Sequence, residues 1–112
     1  MAYTLNALES VLVGAFEGGS NYWMCKLEWN GYKRFLEGET IRITTDEMIT
    51  YDLDLKKLRK GIAQFRKAWN NPDYTGINYS KDKWYDLDSG VYDANDNDCM
   101  LQFALFGELV YG

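Results

Sequence analysis

Leu5, Leu8, Leu12, Ala15 and Phe16 recur at helical spacing, so residues 5–16 are expected to form an amphipathic helix. Thr4 is placed to cap its start, and Gly18-Gly19 to stop it, because a left-handed C-terminal residue favours glycine. The period then changes to two. Trp23, Cys25, Leu27 and Trp29 alternate with Met24, Lys26 and Glu28, the pattern of a half-buried strand. Asn30-Gly31 reads as a hairpin turn, with a less regular return strand over residues 32–36 and a turn at Glu37-Gly38-Glu39. Ile41 and Ile43, then Ile49, Tyr51 and Leu53, alternate again on either side of Asp46-Glu47, which predicts a second hairpin.

The strongest periodic signal lies in residues 55–70. Leu55, Leu58, Ile62, Phe65 and Trp69 make one apolar stripe, and Asp54 or Asp52 is the expected N-cap. Gly61 falls inside this helix at a cost of about 1 kcal/mol relative to Ala, which suggests close packing there. Residues 71–92 show no period but carry Tyr74, Tyr79, Trp84, Tyr85 and Tyr92. They read as a short hairpin near residues 84–92 or as a functional loop lying over the core. A last helix is expected over residues 94–106, capped by Asp93, with Asp96 in its first turn and Gly107 at its end. Residues 99–106 are apolar nearly all round except Gln102, so this helix should be buried on most sides. Residues 108–112 read as a short strand or an ordered tail.

No repeat or linker divides the 112 residues, so one domain over residues 1–112 is expected. The element order predicts an α+β fold, an antiparallel sheet of three to five strands packed by three helices.

Charge and composition narrow the chemistry. The net charge of −5 and pI near 4.6 argue against free nucleic acid as a partner. No apolar run approaches the ~18 residues of a membrane helix, and residues 1–4 do not open a secretory signal. The expected location is therefore the cytoplasm, with no membrane partner and with Cys25 and Cys99 reduced as small buried residues. Histidine is absent, which removes Ser-His-Asp and Cys-His catalysis and His-ligated zinc. Asp93-Ala94-Asn95-Asp96-Asn97-Asp98 resembles a calcium loop only in its acids. The glycine and glutamate such a loop needs at its sixth and twelfth positions are Asp98 and Ala104 here. No metal, cofactor or catalytic residue is expected, and an enzyme ranks behind a binding protein.

Half of the twelve Lys and Arg residues lie between Lys56 and Lys67, with no acid among them. This is first a solvated helix face. Its alternative is an anion site, for which Arg59 and Arg66, beside the apolar stripe, are the better placed. The second candidate joins the ends of the first and last helices. There Asn21, Tyr22 and Trp23 could meet Gln102, Glu108 and Tyr111, with rings stacking a planar ligand and polar groups bonding its edge.

The segments EGGSNYW, DLDLKKLRKGI and LQFALFGELVYG resemble a family of short bacteriophage proteins, marked by EGG-x-x-YW after a helix and a terminal FGE-[IV]-VYG. Leu109 departs from the family's Ile or Val, and Asp96 or Asp98 matches its aspartate at the final helix. The resemblance covers most of the chain outside residues 71–92 and brings no activity with it. It implies a phage accessory protein in the host cell. Such a protein would counter host defence by binding a host protein or by sequestering a small nucleotide signal. In the nucleotide version the arginines hold phosphate and the aromatics stack the base. The alternative is a structural or interaction protein that self-assembles into a homo-oligomer through its aromatic surface.

Overall fold

The structure, a computed structural model, describes residues 3–69 and 93–112. The expectations for residues 71–92 lie outside the described residues. The fold is α+β: a three-stranded antiparallel sheet in the order β1-β2-β3, packed by helices. The elements are α1 (Leu5–Gly14), β1 (Met24–Glu28), α2 (Tyr32–Leu36), β2 (Ile41–Thr45), β3 (Thr50–Leu53), α3 (Leu55–Trp69) and α4 (Ala94–Phe106).

Thr4 caps α1, its side chain accepting from the Ala7 amide at 3.1 Å. The helix does not run smoothly to Phe16. After Gly14 it widens into one π turn, Ala15–Gly19, closed by the Ser20 amide donating to the Ala15 carbonyl at 2.8 Å. Asp54, rather than Asp52, caps α3, accepting from the Lys57 amide at 2.8 Å. Asp93 and Asp96 form a reciprocal capping box at the start of α4. Gly107 ends α4 in the left-handed conformation at φ 75°.

Two strand expectations are corrected. Residues 32–36 form the helix α2, not the return strand of a hairpin at Asn30-Gly31. Tyr32, Phe35 and Leu36 stand at helical spacing, and α2 buries Phe35 while Tyr32 packs beside Phe16 and Trp29. In β1, the register slips between Met24 and Lys26, so Cys25 is the extra residue of a β-bulge. The bulge reverses the alternation. Met24 and Leu27 share the core side with Thr45 and Ile43, and Cys25 is exposed rather than buried. The β2–β3 hairpin forms as expected, with the left-handed Met48 (φ 66°) in its turn.

Helix α4 is the centre of the molecule. Its residues 96 to 103 are all buried, and it touches α1, the π turn, α3 and β3. Glycines permit the closest approaches. A Cβ on Gly61 would run into the backbone of Ala104, one on Gly14 into the Asn97 side chain, and one on Gly19 into the Ala94 carbonyl. The core joins Leu8, Leu12, Trp23, Phe35, Ile43, Leu58, Ile62, Phe65 and Met100 from every layer. Each large side chain so buried contributes about 1.5–3 kcal/mol. Among the described residues no helix is long and apolar enough to cross a membrane.

Candidate functional site

The extra residue of the π turn sets up the site. It swings Ser20 inward, and the Trp23 and Met24 amides then donate back to the Ser20 carbonyl at 3.2 and 3.1 Å. The resulting tight loop lies against the first two turns of α4, where Gly19 fits under the Ala94 carbonyl.

Three side chains of that loop converge on one carboxylate. Asp98 Oδ1 accepts from Ser20 Oγ at 2.8 Å and from Trp23 Nε1 at 2.7 Å. Its Oδ2 accepts from the Tyr22 hydroxyl at 2.7 Å and from Gln102 Nε2 at 3.0 Å. Four donors fill the usual acceptor capacity of a carboxylate. Asp98 is only 2% exposed, and every donor to it is neutral. A buried charge left without hydrogen bonds would cost several kcal/mol, so this cage is what permits an acid inside an otherwise apolar helix face.

Gln102 carries the network to the C-terminal tail. Its Oε1 accepts from the Val110 and Tyr111 amides, both at 2.9 Å, and its Nε2 also reaches the Tyr22 hydroxyl and the Tyr111 carbonyl at 3.2 Å. Residues 108–112 are thus an ordered tail rather than a strand. The Tyr111 ring stacks on Trp23, with Phe106 edge-on to both. The Tyr111 hydroxyl donates to Glu47 Oε1 at 2.9 Å, which joins the tail to the β2–β3 turn.

Beside this cage lies a cavity of about 280 Å³ lined by Tyr22, Asn95, Asp98, Cys99 and residues 109–112. Burial, and then the bond to Asp98, push the Tyr22 phenol well above its ordinary value of 10.0. Burial, reinforced by the charge of Asp98, pushes the Cys99 thiol up to about 12, so it is no nucleophile at neutral pH.

Of the residues singled out from sequence, Tyr22, Trp23, Gln102 and Tyr111 come together here. Asn21 and Glu108 are exposed beside the site but do not line the cavity. Neither arginine lines it. Arg59 donates to the Tyr3 carbonyl at 2.8 Å, tying α3 to the start of α1, and Arg66 is half-buried on α3. Ser20 and Asp98 went unrecognised as site residues. Asp98 does not serve the helix cap. Its signal was the pair Asp98 and Gln102, two polar residues four apart on one face of an apolar helix.

Among the described residues no three His, Cys, Asp or Glu side chains gather to hold a metal ion. The arrangement presents a fixed acid, an aromatic stack and a pinned tail. Comparisons with family models, with curated proteins and with solved structures gave no significant match.

Proposed function

We propose that this is a non-enzymatic binding protein that grips a protein partner with the face around Tyr22, the tail and the β2–β3 turn. The observation that carries this reading is the exposure of Tyr22 (53%), Val110 (53%), Met48 (73%) and Ile49 (47%) on segments locked together beneath them. Large apolar side chains held out by a rigid support are the usual anchors of a protein interface.

The resemblance to bacteriophage proteins supports a host protein in the host cytoplasm as the partner, with loss of a defence activity as the proposed outcome. Sequestration of a nucleotide signal is the weaker version. It needs Arg59 and Arg66 beside the stacked aromatics, and neither lines the cavity next to them. Self-assembly is the second reading, supported by charge segregation along the chain. Lys56, Lys57, Lys60 and Lys67 crowd one helix, whereas residues 43–55 and 93–112 hold acids and no Lys or Arg.

Native mass spectrometry of the protein isolated from its host cell tests these readings together. A retained protein mass, lost in the Met48→Asp/Ile49→Asp variant while that variant stays folded, supports the proposal. A small-molecule mass would support sequestration, and multiples of one subunit would support self-assembly. A bare monomer in both proteins, with no partner captured on mixing with host extract, overturns the binding reading.

A further inference from the structure

Among the described residues no cation meets the carboxylate of Asp98. Its partners are two hydroxyls, an indole N–H and an amide. The segments that build the surroundings, residues 17–25, 43–55 and 93–112, contain no Lys or Arg, while Glu17, Asp46, Glu47 and Glu108 lie exposed on them. Neutral donors satisfy the geometry of a buried carboxylate but leave its field uncompensated, and buried charges are ordinarily paired. The cavity beside it is lined by Tyr22 and Tyr111 among others, and its volume of about 280 Å³ is enough for one long side chain.

We infer that this cavity receives an arginine side chain of the partner protein, with the guanidinium pairing with Asp98. The inference rests on the protein-binding reading above and names the chemistry of its anchor. A guanidinium suits the site because it is planar, weakly hydrated and stacks on aromatic faces, and its fork of N–H groups matches a carboxylate. Asp98 has no acceptor capacity to spare, so one present donor must yield. Ser20 and Trp23 are buried, and Gln102 is held by the tail. Tyr22 is the residue that can leave, because its ring is half outside and its hydroxyl alone reaches in. Tyr22 is therefore a stopper. Its phenol occupies Oδ2 in the free protein and rotates away as the guanidinium arrives.

This arrangement makes an unusual demand: removing a polar group at the site must strengthen binding. The probe is N-acetyl-arginine amide, titrated into the full chain and followed by amide chemical shifts, with N-acetyl-citrulline amide as its neutral isostere. Saturable shifts at Tyr22, Asn95, Val110 and Gly112 are expected with the arginine compound and not with citrulline. Tyr22→Phe should tighten the arginine compound about 2- to 10-fold, the worth of one competing hydrogen bond. Asp98→Asn should abolish binding. Should that variant not fold, the Tyr22→Phe comparison decides alone. Equal response to both compounds, no saturable shift, or unchanged or weaker binding by Tyr22→Phe overturns the inference. Arginine binding with no retained protein would point to a free guanidino ligand, keeping the guanidinium site while overturning a partner side chain as its source. A retained partner with no arginine response sinks the inference and leaves the binding reading intact.

Discussion

The indole of Trp23 and the ring of Tyr111 lie face to face, 5.3 Å between centroids and 2° from parallel. Trp23 is 1% exposed, so the penultimate residue of the chain closes one wall of the core. An aromatic pair of this kind contributes about 0.5–1.5 kcal/mol beyond its buried area. Tyr111→Ala should therefore destabilise the protein by about 2–4 kcal/mol. Tyr111→Phe keeps the stack and loses the hydroxyl's bonds to Glu47 and Thr45, so it should cost less, about 1 kcal/mol. Urea unfolding followed by tryptophan fluorescence measures both. Equal losses would mean that the hydroxyl, not the stack, holds the tail.

Asp98 and Asp93 both stand near the start of α4 but should differ sharply when removed. Asp93→Ala loses an exposed cap, worth about 1 kcal/mol. Asp98→Ala strands the buried donors of Ser20 and Trp23 and unhooks Tyr22. Its expected cost is about 2–5 kcal/mol. Thermal unfolding of the two variants side by side checks the order. Similar losses would show that the cage is incidental to stability.

The elements that obey one strong period were legible in the sequence. The stripe on α3, the β2–β3 alternation and the apolar run of α4 each drive burial of a continuous face. What escaped was every place where one residue is added or reused. The π turn after Gly14 and the bulge at Cys25 each shift the phase of a pattern that otherwise looks regular. Residues 32–36 fit a strand locally, yet the helix wins because it buries Phe35 against layers far off in sequence. The aromatic half of the site was readable from Tyr22, Trp23, Gln102 and Tyr111. Asp98 was not, because three acids crowd the start of α4 and only tertiary contacts distinguish a cap from a buried acceptor. Arg59 and Arg66 share a helix face with the stripe, but α3 packs on a different side of α4 from the cage.

The two cysteines should react very differently. Cys25 is exposed on the bulge of β1, whereas Cys99 is buried and its thiol is pushed up to about 12. A thiol reagent at neutral pH should modify Cys25 alone in the native protein and both residues in urea. Mass mapping of the labelled peptides distinguishes them. Native labelling of Cys99 at a comparable rate would mean that the tail opens readily over the cavity.

Gly61 tests the contact between α3 and α4. Alanine inside a helix is favoured over glycine by about 1 kcal/mol. Here the new Cβ would meet backbone atoms of Ala104, which cannot turn aside. Overpacking of this kind costs about 1–3 kcal/mol, so Gly61→Ala should be destabilising on balance. Gly18→Ala meets nothing within 4 Å and should be neutral to slightly stabilising. Chemical denaturation of the pair gives the sign directly, and a stabilised Gly61→Ala would mean the helices separate at little cost.

The alkaline limb of stability should belong in part to Tyr22. Burial first, and then the bond to Asp98, raise its folded value above the ordinary 10.0. Tyr32 is raised in the same way by burial and its bond to Glu17. A phenol whose folded value is raised favours the native state while protonated. Its contribution is whole below the unfolded value of about 10 and is lost as pH climbs from there through the folded value. Unfolding free energies should thus fall above pH ~10 in the wild type and fall less steeply in Tyr22→Phe. Every other ionisable group is common to both proteins, so the difference between the two curves isolates the phenol. Phenolate absorbance gives an independent check, since Tyr22→Phe should remove a late-titrating tyrosine from the native profile. Coincident stability curves would mean that the hydroxyl is hydrated as freely in the native state as in the unfolded chain, and the cage around Asp98 would then have to be looser than its 2.7 Å bond to Tyr22 implies.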